Sequence, residues 1–94
     1  MNVRLSVKGV APLWKILGKK TDIDFTFPGN TLRDMVNELI KKYGNGVKKA
    51  ILDEKDEIDM ELRVSLNQRG FLSYGERMNN PINERDTIYI MGVG

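Results

Sequence analysis

The groups in this chain that lend themselves to chemistry lie at its end, in the stretch Met91-Gly92-Val93-Gly94. Glycine has no side chain, so another molecule can approach the backbone closely at Gly92 and Gly94. Val93 between them is β-branched and restricts the backbone that the glycines leave open. The stretch therefore offers backbone atoms and the terminal carboxylate of Gly94, rather than reactive side chains.

The residue types that the sequence lacks narrow the chemistry further. The 94 residues include no histidine and no cysteine. Histidine is the most frequent general base and metal ligand, and cysteine is needed for thiol catalysis and thiolate metal sites. The composition therefore favours a carrier subunit that acts with a partner enzyme over an autonomous enzyme. The acidic run 53–61 lacks the regular spacing of a calcium loop and predicts a solvated loop rather than a metal site.

The charge balance and the hydropathy pattern indicate which binding partners and which cellular location to expect. The 15 basic and 13 acidic residues give a formal net charge of +2, which is too even for a dedicated nucleic-acid binder. No apolar run approaches the roughly 18 residues of a membrane span. The first ten residues alternate apolar with polar instead of forming a signal peptide. We therefore expect a cytoplasmic protein with neither membrane contact nor a nucleic-acid partner.

Alternation of apolar and polar residues predicts four strands. A period of two with one apolar face is the pattern of a half-buried strand. The segments with this pattern are 2–10, 21–27, 62–66 and 87–91. A further short strand is expected at Phe71-Leu72. Residues 73–86 then form a polar connection, with Pro81 and Ile82 as its anchor.

Apolar residues at helical spacing predict one main helix. From Leu32 to Tyr43 they recur at i, i+3, i+4, i+7, i+8 and i+11, which makes one continuous stripe. Thr31 is placed to cap the start, with Asp34 in the first turn, and a glycine follows the last turn. Two shorter helical turns are expected within 11–17 and 47–51. The main helix thus has its own start, end and buried face.

These elements define a fold class. One helix stripe over one sheet face gives a two-layer α+β domain, here a mixed sheet with one main helix packed across it. Ile88 and Ile90 assign the last strand to the core, so the strand directs the residues after it outward. The chain is therefore predicted to be a single domain, 1–94, with a C-terminal tail at 92–94.

Several stretches, taken in order, resemble a known family. "PGNTLRDMVNELIKKYG" is similar to that family's first helix and its entry turn. "LRVSLNQRG" is similar to its strand and asparagine turn, with Asn67 here. "PINERDTIYIMGVG" is similar to its ending, with Asp86 before the last strand. The chain thus resembles the small sulfur-carrier proteins of the MoaD and ThiS type, which have the β-grasp, or ubiquitin-like, fold.

The resemblance implies that the C-terminus carries the function. A ubiquitin-activating-type adenylyltransferase attaches AMP from ATP to the terminal carboxylate, that of Gly94 here, and a sulfur donor then converts it to a thiocarboxylate. The carrier binds no cofactor itself, since the partner enzyme uses ATP and the sulfur donor. The chain is thus expected to resemble the small subunit of molybdopterin synthase, with a large molybdopterin-synthase-like subunit as a further partner. In the ThiS branch the sulfur goes into the thiazole of thiamine.

The resemblance also implies a partner-binding surface around the tail. It comprises the tail itself and apolar residues that lie beside the last strand in this fold. In this sequence those residues are Phe71, Leu72, Tyr74, Met91, Gly92 and Val93.

Val93 departs from the family, whose chains end in two glycines. A valine side chain would have to fit where a partner grips bare backbone. In one hypothesis the partner accommodates Val93 and the chain is a sulfur carrier. In the other, tail activation is lost and the chain is a non-catalytic β-grasp binding or regulatory subunit. A truncated or altered tail is a third reading of the same departure.

Overall fold

The computed structural model describes residues 1–92, and Val93 and Gly94 lie outside the described residues. All four longer strands and all three helical segments that the sequence predicts are present. In chain order the elements are β1 (Asn2–Lys8), α1 (Ala11–Ile16), β2 (Asp22–Thr26), α2 (Leu32–Tyr43), α3 (Asn45–Ile51), β3 (Arg63–Leu66), a 3₁₀ helix (Arg77–Asn79) and β4 (Thr87–Met91). Among residues 1–92, every helix is too short or too polar to cross a bilayer.

The four strands form one mixed sheet in the order β2-β1-β4-β3. The outer pairs, β1 with β2 and β3 with β4, are antiparallel, whereas the two inner strands, β1 and β4, run parallel. Parallel neighbours require a long crossover connection, and the chain between β1 and β4 includes α2. The predicted mixed sheet with one main helix across it is confirmed.

The start of α2 is fixed by a reciprocal capping box. The hydroxyl oxygen of Thr31 accepts a hydrogen bond from the Asp34 backbone N–H at 3.2 Å. The Asp34 carboxylate accepts in turn from the backbone N–H groups of Asn30 and Thr31, at 3.0 and 3.2 Å. These bonds, that from Asn30 foremost, hold the pKa of Asp34 below its ordinary value. The predicted cap is confirmed, and it satisfies N–H groups that a helix start leaves unpaired.

The apolar stripe of α2 packs onto the inner face of the sheet in one hydrophobic cluster. Leu5 of β1 and both Ile88 and Ile90 of β4 are fully buried in that cluster. Burial of side chains of this size stabilises the fold by about 1.5–3 kcal/mol each. The last strand is therefore a central part of the core, as the sequence indicates.

The join between β3 and β4 depends on two residues of the family-like motifs. Asn67 has a left-handed φ of 52°, which asparagine tolerates better than most residues. Its side-chain amide donates to the Asp86 carboxylate at 2.8 Å, and its carbonyl oxygen accepts from the Thr87 N–H at 2.8 Å. Asn67 is thus a turn residue that sets where β4 begins.

Two stretches differ from their predictions. Phe71 and Leu72 do not form a strand, because only an isolated bridge between Ser65 and Phe71 joins them to β3. The connection 73–86 has more anchors than the predicted Pro81 and Ile82. It contains the 3₁₀ helix, whose Arg77 and Met78 are both buried.

Arg77 is the most buried charged residue among those described, with 3% of its surface exposed. Its guanidinium donates to three backbone carbonyls of the preceding loop, those of Ile58, Leu62 (2.8 Å) and Asp59 (2.7 Å). Burial lowers the pKa of Arg77 from its ordinary value, in keeping with a charge removed from water. Arg77 therefore anchors the loop that leads into β3.

We expect Arg77→Leu to lower the free energy of unfolding by about 2–4 kcal/mol, because one buried and two partly buried carbonyls lose their donor. Urea unfolding followed by circular dichroism measures the change. Arg69→Leu, at an exposed arginine, is the matched control and should change stability by less than about 0.5 kcal/mol. Equal stabilities for the two variants would contradict the role assigned to Arg77.

Candidate functional site

The site begins where the two inner strands of the sheet end together. Lys8 and Met91 are register partners at the last position of the parallel pair. One residue further on, the backbone N–H of Gly92 still donates to the Lys8 carbonyl at 2.8 Å. The predicted tail 92–94 therefore starts too early, because Gly92 remains bound to the sheet.

Gly92 also packs tightly against Gly9. A Cβ atom added to Gly92 would lie 2.1 Å from the carbonyl oxygen of Gly9, well inside van der Waals contact. Gly9 itself adopts a left-handed φ of 70°, which favours glycine. The glycine at position 92 thus has a packing reason within the domain, in addition to the partner-binding role that the resemblance implies.

The predicted roles of Val93 and Gly94 stay predictions, since both residues lie outside the described residues.

An apolar surface lies beside β4 on the face away from α2. Phe71 is 56% exposed, and the Arg63 guanidinium lies over its ring at 4.9 Å. Phe71 and Met91 line one shallow cleft of about 260 Å³, together with Lys8 and Tyr89. The structure thus brings Phe71 and Met91, two of the predicted partner-binding residues, together at the end of β4.

Leu72 and Tyr74 lie on the other side of Phe71. Both are half-buried and line a second cleft of about 200 Å³ with Phe71 and Met60. Leu72 is partly packed against the core, so it presents only part of its side chain. Met60, 71% exposed, is a surface residue that sequence reasoning missed, because the acidic run around it indicated only a solvated loop.

Tyr74 is fixed by polar contacts as well as by packing. Its hydroxyl donates to the Asp53 carboxylate, and the Arg77 guanidinium lies 5.5 Å from its ring centroid. The bond to Asp53 raises the pKa of Tyr74 to about 12. The same bond is the main cause that lowers the pKa of Asp53. Tyr74 therefore links the loop at Asp53 to the segment that contains Arg77.

A scan against protein-family models finds no match for this sequence. A search of curated proteins likewise finds none.

Solved structures, in contrast, match nearly the whole chain. A chain of the BexX/CysO complex from Amycolatopsis orientalis aligns at a TM-score of 0.77 and 15% identity, over 98% of this chain and 96% of its own. SAMP1 from Haloferax volcanii aligns at 0.75 and 12%, over 100% and 97%. A putative molybdopterin converting factor subunit 1 from Pyrococcus furiosus aligns at 0.65 and 16%, over 100% and 99%.

These alignments define the fold of the chain. It is the ubiquitin-like β-grasp fold, and the fold class predicted from the sequence is confirmed. The resemblance to MoaD- and ThiS-type proteins extends to the structure, since such proteins are among the neighbours. At sequence identities of 12–16% the likeness establishes the fold alone. The chemistry has to be argued from the residues of the site.

We expect Gly92→Ala to destabilise the domain by about 1–3 kcal/mol, because the added methyl group overlaps the Gly9 carbonyl. Chemical unfolding of the full chain measures the effect. Gly75→Ala is the matched control, since a Cβ at Gly75 meets no atom within 4 Å. If both glycine variants unfold alike, the close approach of Gly92 to Gly9 is wrong.

We expect the stability that Tyr74 contributes to depend on pH in two directions. Because its folded pKa is raised from 10.0 to about 12, that contribution is complete below pH 10 and lost as the pH rises towards 12. Because the folded pKa of Asp53 is lowered from 3.8, the contribution is also lost as the pH falls below that value. The difference in unfolding free energy between wild type and Tyr74→Phe should therefore be largest near neutral pH.

Urea unfolding at a series of pH values measures this difference, with Tyr43→Phe as the control. The Tyr43 hydroxyl forms no side-chain hydrogen bond with residues 1–92. A difference for Tyr74→Phe that stays constant across the whole pH range would contradict the bond to Asp53.

Proposed function

We propose that this protein is a sulfur carrier whose Gly94 carboxylate is adenylated by a partner enzyme and converted to a thiocarboxylate. The proposal requires Gly94 to bear a free carboxylate. The carboxylate attacks the α-phosphate of ATP to form the acyl-adenylate and release pyrophosphate, and sulfide from a donor then displaces AMP to give the thiocarboxylate. The carrier contributes no side chain to these steps, which fits a sequence without histidine or cysteine.

The observation that carries the proposal is the position of Gly92 at the end of a central strand. β4 has a partner on each side, and its isoleucines are fully buried, so its end is held by the whole sheet. The chain therefore leaves the sheet from a fixed point at Gly92. A fixed starting point lowers the entropic cost of delivering the residues after it to an active site.

The surface beside the tail supports a protein partner. Phe71 and Met91 are apolar residues at the end of β4, and Arg63 and Lys8 lie beside them. Aromatic residues, methionine and arginine are enriched at protein interfaces, and this surface has one of each in Phe71, Met91 and Arg63. We assign this surface to a ubiquitin-activating-type adenylyltransferase, and Leu72 and Tyr74 to its margin.

The structural neighbours support the same class of function. One is a chain of a two-protein complex, and another is a subunit of a molybdopterin converting factor. We therefore propose that the chain works with partner enzymes, including a large molybdopterin-synthase-like subunit, in cofactor biosynthesis. We propose the cytoplasm as the location, because the partner needs ATP.

A second candidate function rests on the tail residues themselves. Gly92 is held by Lys8 and Gly9, and Val93 stands where the family has glycine. If a partner cannot grip this shorter and bulkier tail, the chain acts as a binding or regulatory β-grasp subunit. SAMP1 among the neighbours is a modifier protein by name, so attachment of the tail to another protein is a related outcome of the same activation.

We expect incubation with a MoaD- or ThiS-type adenylyltransferase, ATP, magnesium and sulfide to replace one oxygen of the C-terminus by sulfur. Mass spectrometry of the intact protein and of its C-terminal peptide measures the change. A chain lacking Val93 and Gly94 is the control and should stay unmodified. Unchanged mass of the full chain with several such enzymes would contradict the carrier proposal.

Val93→Gly separates the two candidate functions in the same assay. If the valine blocks activation, only the Val93→Gly chain gains sulfur, and the wild type is a binding subunit. If the partner accommodates the valine, both chains gain sulfur at rates within about tenfold, which corresponds to about 1.4 kcal/mol.

A further inference from the structure

An apolar cleft of about 590 Å³ lies between α1 and the end of β1. It is distinct from the surface around Phe71 and Met91, although Lys8 borders both. Val10, Ala11 and the half-buried Trp14 supply its apolar walls, and Thr21 closes one side. Apart from Lys8, its lining residues do not belong to the surface assigned to the adenylyltransferase.

The cleft exists because α1 buries only one of its faces. Leu13 is fully buried, and Leu17, which follows the helix, is 5% exposed. Ala11, Trp14 and Lys15 stand at i, i+3 and i+4 and therefore share a different face of the helix. That face borders the cleft, so Trp14 presents part of its ring to whatever enters.

One lysine lines the cleft, and three more are close in sequence to residues that line it. Lys8 lines the cleft, Lys15 follows Trp14, and the backbone N–H of Lys19 donates to the Trp14 carbonyl at 2.9 Å. Lys20 precedes Thr21, and all four lysines are exposed. None of them takes part in the ion pairs formed within residues 1–92.

The charge around the cleft is not balanced by nearby acids in the sequence. Residues 8–21 contain these four lysines and no aspartate or glutamate. The first acid after them is Asp22, whose exposed carboxylate accepts from the Thr21 hydroxyl at 3.5 Å. Exposed lysines without an acidic partner among the residues that the structure describes, beside an apolar centre, favour a ligand that is acidic at its edges and apolar in its middle.

We propose that this cleft docks an acidic segment of a partner protein, which places one aliphatic side chain against Trp14. The aliphatic walls suit the anchor side chain, and the lysines suit the carboxylates on either side of it. Because Gly9 lines the cleft and packs on Gly92, the docked segment lies beside the start of the tail. The proposal does not depend on whether Gly94 is activated.

The observations favour a protein segment over nucleic acid or a membrane. Single-stranded nucleic acid is held by several aromatic residues that stack successive bases, whereas Trp14 is the only aromatic side chain lining this cleft. A membrane-surface helix needs a long apolar face, and α1 has only 6 residues. A concave apolar centre instead matches a single protruding side chain.

Trp14 is the only tryptophan of the chain, so its fluorescence reports on this cleft directly. The probe is a short synthetic peptide of aspartate and glutamate with one central leucine, titrated into the full chain at low salt. We expect a saturable blue shift of Trp14 emission. Replacing the leucine by serine should weaken the affinity by about tenfold, a loss of about 1.4 kcal/mol.

Charge reversal tests the lysines separately from the fold. Lys15→Glu combined with Lys20→Glu should weaken peptide binding at least about tenfold, whereas the control pair Lys41→Glu and Arg69→Glu should change it little, although both pairs remove the same charge. All four positions are exposed, so circular dichroism should show each variant folded.

Three outcomes would overturn the proposal. The first is no shift of Trp14 emission at millimolar peptide, and the second is equal weakening by both charge-reversed pairs. The third is tighter binding of single-stranded oligothymidylate or of phosphatidylserine vesicles than of the peptide, which would assign the cleft to nucleic acid or to membranes.

Discussion

The parallel pairing of β4 with β1 is the constraint on which the rest of the structure depends. It brings Ile88 and Ile90 into the middle of the core and makes the C-terminal strand central rather than peripheral. The last hydrogen bond of this pair, from the Gly92 N–H to the Lys8 carbonyl, lies where the two strands end. That bond is possible only because the backbones of Gly92 and Gly9 approach without side chains between them.

In the proposed function, a domain without histidine or cysteine presents a C-terminal carboxylate for reaction. The sheet, α2 and the loop anchored by Arg77 supply rigidity, and they add no catalytic side chain at the end of β4. Around the end of β4 the domain presents the surface of Phe71 and Met91 and, bordering Lys8 as well, the cleft at Trp14. In the proposed function the partner enzyme supplies the chemistry, which is consistent with a chain lacking histidine and cysteine.

Local patterns predicted most of the fold because they record which face of each element is buried. The stripe and capping residues of α2 and the alternation in β1, β2 and β4 were sufficient for the architecture. Contacts between distant segments were not predictable in the same way. Arg77 belongs to a residue type that is mostly exposed, and its acceptors are backbone carbonyls that any sequence would supply. The packing reason for Gly92 appears only once β4 lies beside β1.

The same distinction applies to the site. The resemblance predicts Phe71 and Met91 beside the last strand, and the structure brings them together there. The exposure of Met60 and the hydrogen bond from Tyr74 to Asp53 depend instead on how the loops fold back. In the proposed function, the Val93 side chain separates the two candidates, a carrier and a binding subunit.

The proposed function requires a partner enzyme to form an acyl-adenylate on Gly94. Exchange of labelled pyrophosphate into ATP measures that step directly, because formation of the adenylate is reversible. We predict that the exchange catalysed by a MoaD- or ThiS-type adenylyltransferase rises when wild-type chain is added. A chain lacking the last two residues should not raise it. A contradicting result has two parts. Neither wild type nor Val93→Gly raises the exchange above that of the enzyme alone, and a carrier ending in two glycines does raise it.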